Sequence, residues 1–129
     1  MRGKRPIVAV VDDDPRLIES LENLLESAGY QTRCYSLASP LLAEGLSEVD
    51  ILITDIGLPD IDGFELRSRA LSSRPNLPVF LITGRHELTY QSRARGITRL
   101  FCKPFDGQLL LSAIGDALQD RNDGKKNES

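Results

Sequence analysis

Apolar residues follow two rhythms along this chain. Short unbroken runs such as Ile7 to Val11, Ile51 to Ile53 and Val79 to Ile82 alternate with longer stretches in which leucine and alanine return every three or four positions. A short run rich in β-branched residues fits a strand buried on both faces, as in parallel sheets. The three-and-four spacing marks one face of a helix. This pattern predicts strands over 6–11, 30–35, 50–54, 77–83 and 98–102, and helices over 15–28, 37–46, 64–73, 86–95 and 106–121. In the first helix Leu17, Leu21, Leu24, Leu25 and Ala28 share a face; in the last, Leu110, Ile114, Ala117 and Leu118 do. The segment 86–95 has the thinnest stripe, Leu88, Tyr90 and Ala94, and is expected to be the least firmly packed. Punctuation agrees with these bounds. Asp14 before Pro15 reads as an N-cap and first helical residue, Asp106 as a second cap, and Gly29 as a helix stop.

Strict alternation of strand and helix implies a parallel sheet with helices on both faces and right-handed crossovers. The expected architecture is therefore α/β: a flavodoxin-like (βα)5 three-layer sandwich on a five-stranded parallel sheet of order 2-1-3-4-5. One domain spans residues 1–121, and the polar tail 122–129 is expected to be disordered. In such sheets ligands bind beyond the carboxyl ends of the strands, at the switch point between strands 1 and 3.

Composition narrows the classes. With 129 residues, 40% hydrophobic and 27% charged, the chain suits one globular domain. It has no apolar run of membrane-spanning length and no export signal, so a cytoplasmic protein is expected. Cys34 and Cys102 are the only cysteines and His86 the only histidine, which supports neither a disulfide framework nor a histidine-based zinc site. Charge is unevenly placed: residues 1–66 carry 13 acidic and 5 basic groups, residues 67–129 carry 6 acidic and 11 basic. Such asymmetry points to a surface with a partner preference.

Strand ends supply the chemistry. Asp12 and Asp13 follow strand 1, Asp55 ends strand 3, Thr83 ends strand 4 and Lys103 follows strand 5. Three carboxylates in one crevice repel one another. A hard divalent cation such as Mg²⁺, which takes oxygen ligands and keeps several waters, resolves the repulsion. An acid trio, a cation site, a lysine and a hydroxyl form a phosphoryl-transfer set, in which a carboxylate can be the nucleophile.

These motifs resemble the receiver domains of bacterial two-component response regulators. The resemblance rests on Val10-Val11-Asp12-Asp13-Asp14-Pro15, on Asp55 with Leu58-Pro59 and Asp62-Gly63, on Leu81-Ile82-Thr83-Gly84 and on Lys103-Pro104-Phe105, and it covers residues 6–121. It implies that Asp55 is the phosphoacceptor, with Mg²⁺ held by Asp12 and Asp13, by Asp55 and by the Gly57 carbonyl. Thr83 and Lys103 would contact the phosphoryl oxygens, and the Lys103-Pro104 bond would be cis. The donor would be a histidine kinase or a histidine phosphotransfer protein. The domain would catalyse its own phosphorylation and slow dephosphorylation without being an enzyme in the usual sense. The family often carries an aromatic switch three residues before the lysine; here that residue is Leu100, followed by Phe101. Arg85 stands two residues past Thr83, where the family tunes acyl-phosphate lifetime.

The output surface is expected around 84–100. There Arg85, Arg93, Arg95 and Arg99 would suit an acidic downstream protein, with Thr83 and Leu100 as the moving parts. No helix-turn-helix pattern appears, so direct nucleic-acid binding and membrane contact are not expected, and the chain reads as a stand-alone receiver or one cut from a longer protein. Two alternatives compete. A phosphorylation-independent interaction module would keep the fold without the chemistry. A phosphatase of the haloacid dehalogenase type would use the first acid of Asp12-x-Asp14 as nucleophile, but Pro15 makes Asp14 a better helix cap, and no acidic pair follows a strand after Lys103.

Overall fold

The computed structural model describes residues 5–84 and 99–128, the side chains of 121–128 excepted. In chain order these form β1 (Ile7–Val11), α1 (Pro15–Ser27), β2 (Gln31–Tyr35), α2 (Ala38–Glu44), β3 (Ile51–Asp55), α3 (Gly63–Ser73), β4 (Val79–Thr83), β5 (Leu100–Cys102) and α4 (Gly107–Glu128). The helix expected over 86–95 lies outside the described residues. Pairing is parallel throughout, and the sheet order is β2-β1-β3-β4-β5. This is the doubly wound order expected of five alternating βα units.

Register aligns the strand ends. Val11 pairs with Thr54, so the next residues, Asp12 and Asp55, leave adjacent strands at the same level. Asp55 pairs with Ile82 and Thr83 with Cys102, so Thr83 and Lys103 follow at that level across β4 and β5. Main-chain bonds carry the pairing past the last ladder residues: Asp12 N–H donates to the Tyr35 carbonyl at 3.0 Å, Ile56 N–H to Ile82 at 2.9 Å and Lys103 N–H to Thr83 at 2.7 Å.

Strand residues alternate between two cores. Val8, Val10, Ile51, Ile53, Phe80 and Ile82 face Leu21 and Leu25 of α1 and Leu110 and Ile114 of α4. Ala9, Val11, Leu52 and Leu81 face Ala38 and Leu41 of α2 and Phe64, Leu66 and Ala70 of α3. Helix starts follow the capping rules. Asp14 accepts from Arg16 N–H at 3.0 Å and Asp106 from Gln108 N–H at 2.8 Å, while Gly29 turns the chain after α1 at φ 95°.

Helix α4 continues to Glu128, whereas the apolar pattern ends near Arg121. A helix closes its own backbone hydrogen bonds, so the polar stretch after Arg121, which holds no proline, continues the helix without an apolar face.

Candidate functional site

Asp12, Asp13 and Asp55 come together as the strand ends require: one carboxylate oxygen from each lies within 4.8 Å of the others. Their surroundings differ. Asp12 is 1% exposed and Asp55 8%, while Asp13 stands in solvent. Each buried carboxylate has a main-chain anchor and shares one ammonium. Asp12 Oδ1 accepts from Asp14 N–H at 2.8 Å and Asp55 Oδ2 from Gly57 N–H at 3.1 Å. Lys103 Nζ lies 3.1 Å from Asp12 Oδ2 and 3.2 Å from Asp55 Oδ1.

One lysine between two buried acids does not fully compensate them. Burial pushes the Asp12 carboxyl above its ordinary value and the Asp55 charge adds to the rise; the Asp14 N–H and Lys103 offset only part of it. Burial also works against the Lys103 ammonium, but Asp12 and Asp55 outweigh it and hold its pKa above the usual lysine value. The lysine stays charged and the site remains over-supplied with carboxylate. Among the described residues no buried side-chain polar atom lacks a hydrogen-bond partner. A clustered excess of hard oxygen donors, one of them in solvent, fits Mg²⁺ better than a softer metal.

Above Asp55 opens a depression of about 510 Å³ lined by Asp55, Gly57, Leu58, Asp62, Thr83, Gly84 and Lys103. Two glycines line it, and a methyl at either would make only ordinary contacts. A Cβ on Gly57 would stand 3.6 Å from Asp55 Oδ2, and one on Gly84 3.7 Å from Lys103 Cδ. Thr83 is 5% exposed at the end of β4, within the lining. The Lys103-Pro104 bond is cis, as the resemblance implied.

Gly63 has a role the motif does not explain. Its N–H donates to the Ile56 carbonyl at 2.8 Å, and a Cβ there would collide with the Asp55 carbonyl and reach 2.9 Å from the Ile56 Cα. Glycine is required by contact, at a backbone φ open to any residue. Asp62, just before it, caps α3 by accepting from Glu65 N–H at 2.8 Å.

Of the residues expected to form the output surface, the structure describes Thr83, Arg99 and Leu100. Arg85, Arg93 and Arg95 lie outside the described residues. Leu100 is half-buried against the α2/α3 core. Arg99 turns to the other side of the sheet, its guanidinium 5.7 Å from the centre of the Phe80 ring. Phe101 packs on that side too, between Phe80 and Phe105 at 6.1 and 6.3 Å between ring centres. Leu100 and the aromatic residue after it thus serve opposite cores.

Fold and site together define a phosphorylation-based signalling domain, and the comparisons agree. Residues 8–115 match the response regulator receiver domain, and the chain belongs to that family, whose members accept a phosphoryl group on an aspartate from histidine kinases. It is 28% identical over 130 residues to the response regulator protein TmoT of Ectopseudomonas mendocina, covering 98% of this chain and 59% of that protein. It is 34% identical over 118 residues to the DNA-binding transcriptional regulator NtrC of Bradyrhizobium sp. (strain RP501 Parasponia), covering 88% of this chain and 24% of that one. The chain therefore spans only part of these relatives. Among solved structures, the signal receiver domain of an HD domain-containing protein from Pseudomonas fluorescens Pf-5 superposes with TM-score 0.87 at 29% identity, over 98% of this chain and 96% of that one. A CheY-like receiver domain from Methanospirillum hungatei JF-1 gives 0.85 at 27% identity, over 94% and 99%. Among the described residues no helix is long and apolar enough to cross a membrane.

Proposed function

We propose that Asp55 receives a phosphoryl group from a histidine kinase or a histidine phosphotransfer protein, and that the acyl phosphate switches a protein-binding surface of this domain in the cytoplasm. The observation that carries this reading is the seat of Asp55. It is a buried carboxylate at the floor of an open depression, held through one oxygen by Gly57 N–H and facing Lys103 through the other.

Asp12, Asp13 and Asp55, with the Gly57 carbonyl, would hold Mg²⁺. Once bound, the ion would neutralise charge on the incoming phosphoryl oxygens. The rest falls to the chain's own groups. A carboxylate oxygen of Asp55 forms the new P–O bond as the P–N bond to the donor histidine breaks, and the bonding pair leaves with the imidazole nitrogen. The Gly57 N–H fixes the rotation of the attacking carboxylate. Lys103 reaches the site on a flexible stem and can exchange Asp55 Oδ1 for a phosphoryl oxygen while keeping Asp12. The Thr83 hydroxyl is a donor for another. Slow attack of water on phosphorus returns the carboxylate, so the domain resets itself. Thr83 and Leu100 then alter a surface carrying Arg85, Arg93, Arg95 and Arg99, which suits an acidic protein partner.

Acetyl phosphate with Mg²⁺, followed by intact mass measurement, tests this. A gain of one HPO₃ in the wild type, absent in Asp55→Ala, is expected. Full modification of Asp55→Ala would move the nucleophile elsewhere, with Asp12 the first suspect. Turnover of phosphate esters would favour a phosphatase, and no modification of the wild type a phosphorylation-independent module.

A further inference from the structure

Helix α2 begins without a cap of its own. Leu37 precedes it and offers no acceptor, yet the N–H groups of Ala38 and Ser39 are both bonded, at 3.3 and 2.8 Å, to the carboxylate of Asp60. The Ser39 hydroxyl adds a third bond at 2.8 Å, and the N–H of Ile61 a fourth at 2.9 Å. A cap ordinarily comes from the residue just before the helix. Here it comes from Asp60, 21 positions beyond Ser39. Burial opposes the Asp60 charge, but the bonds from Ser39, Ile61 and Ala38 outweigh it and hold the carboxyl well below the usual range.

The segment that carries Asp60 also serves the phosphoryl site. It leaves β3 directly after Asp55, places the Gly57 N–H on Asp55 Oδ2, and closes at Gly63 against the Ile56 carbonyl. Both ends of this loop are therefore held at the strand. Its middle is held by the Asp60 bonds to the start of α2.

We propose that Asp60 is a positioning residue for the phosphoryl site: by tying the middle of the 56–62 loop to the N-terminus of α2, it sets where the main chain of Gly57 stands beside Asp55. The proposal rests on the reading of Asp55 as phosphoacceptor beside an Mg²⁺ site. Partners that hold a metal site's ligands in place are worth about tenfold or more in metal affinity.

The test compares the full chain with Asp60→Ala, Asp60→Asn and Arg74→Ala. Arg74 is a control for lost stability alone, since its guanidinium ties α3 to the carbonyls of Leu46 and Val49 at the far end of the sheet. Two readouts are taken: calorimetric titration with Mg²⁺, and amide exchange at Gly57 and over 38–44 without metal. In Asp60→Ala the Mg²⁺ dissociation constant is expected to rise about tenfold, and Gly57 to exchange faster along with the start of α2. Asp60→Asn keeps one acceptor oxygen where Asp60 uses two, so its Mg²⁺ constant should fall between those of the wild type and Asp60→Ala. Arg74→Ala should melt earlier yet keep its Mg²⁺ constant within about twofold, as distant sites act independently. If Asp60→Ala speeds exchange at 38–44 but leaves Gly57 and the Mg²⁺ constant unchanged, Asp60 is only a cap for α2 and the proposal fails. A wild type that binds no Mg²⁺ would overturn the metal reading instead, and the Gly57 exchange would still decide the role of Asp60.

Discussion

The two faces of the sheet are held by different means. On one, α1 and α4 lay leucines and isoleucines over Val8, Val10, Ile51, Ile53, Phe80 and Ile82, and Phe80, Phe101 and Phe105 continue the apolar layer. On the other, α2 has only seven residues, and polar side chains help to fasten that layer. Asp60 holds the start of α2, and Arg74 ties the end of α3 to the segment before β3. Apolar contact is non-directional and tolerates small shifts, whereas a hydrogen bond is lost within a few tenths of an ångström. The first face is therefore held by contacts that absorb small shifts. The second can pass a small movement at Asp55 into a helix.

Four experiments press on this contrast, ordered by expected size. Phe80→Ala removes a fully buried ring from the apolar face and should cost about 3–5 kcal/mol. Denaturant unfolding measures it, and phosphorylation per folded molecule should hold; a selective loss of phosphorylation would break the contrast. Gly63→Ala forces a methyl against the Asp55 carbonyl on the tethered side and should cost about 2 kcal/mol, the scale of an overpacked contact. Unlike Phe80→Ala, it should also slow phosphorylation by acetyl phosphate in the molecules that remain folded.

Asp12→Asn tests the mouth, which belongs to neither face. The folded-state pKa of Asp12 is raised above the 3.8 of the unfolded chain, so the folded protein binds this proton more tightly. Its ionisation therefore removes stability as pH rises through that window, and none of this effect remains below it. At neutral pH without metal the variant should be more stable than the wild type, since it no longer holds a buried charge that burial and Asp55 disfavour. It should also lose the stabilisation by Mg²⁺ expected of the wild type. Asp60 has the opposite sign. Its lowered pKa contributes stability present above 3.8 and lost as pH falls below it. Thermal melts by circular dichroism across acid pH separate the two, the chain having no tryptophan. The smallest effect is that of Ser39→Ala, which removes one exposed hydroxyl bond to Asp60 and should cost about 0.5 kcal/mol. A loss as large as that for Gly63→Ala would show the tether to be stronger than its bonds suggest.

What the sequence revealed and what it hid divide along a physical line. Strand order, the Asp14 and Asp106 caps and the meeting of Asp12, Asp55, Thr83 and Lys103 follow from periodicity and local chemistry, which act over a few residues. The Asp60 cap, the Arg74 tie and the stacking of Arg99 on Phe80 join a side chain to something remote, and no spacing rule encodes them. The sequence even pointed away from the Asp60 cap: bounds of 37–46 put Ser36, a good N-cap, before the helix, and only the structure starts α2 at Ala38 and leaves Leu37 at the cap. The need for glycine at position 63 was hidden for a similar reason: the clash is with a strand end, seen only once α3 is packed.

The bond from Lys103 to Asp12 spans 91 residues, and this bears on how the chain assembles. Synthesis proceeds from the N-terminus, so both buried acids are made long before the ammonium that reconciles them. Until β5 docks, pairing β1 with β3 sets two carboxylates side by side without their counterion. The edge strand, the shortest in the sheet at three residues, thus delivers the charge that makes the two central strands compatible. A chain ended at Gly84 should accordingly gain ordered structure on mild acidification, as its carboxylates take up protons, and circular dichroism during such a titration would show whether assembly of the sheet waits for its last strand.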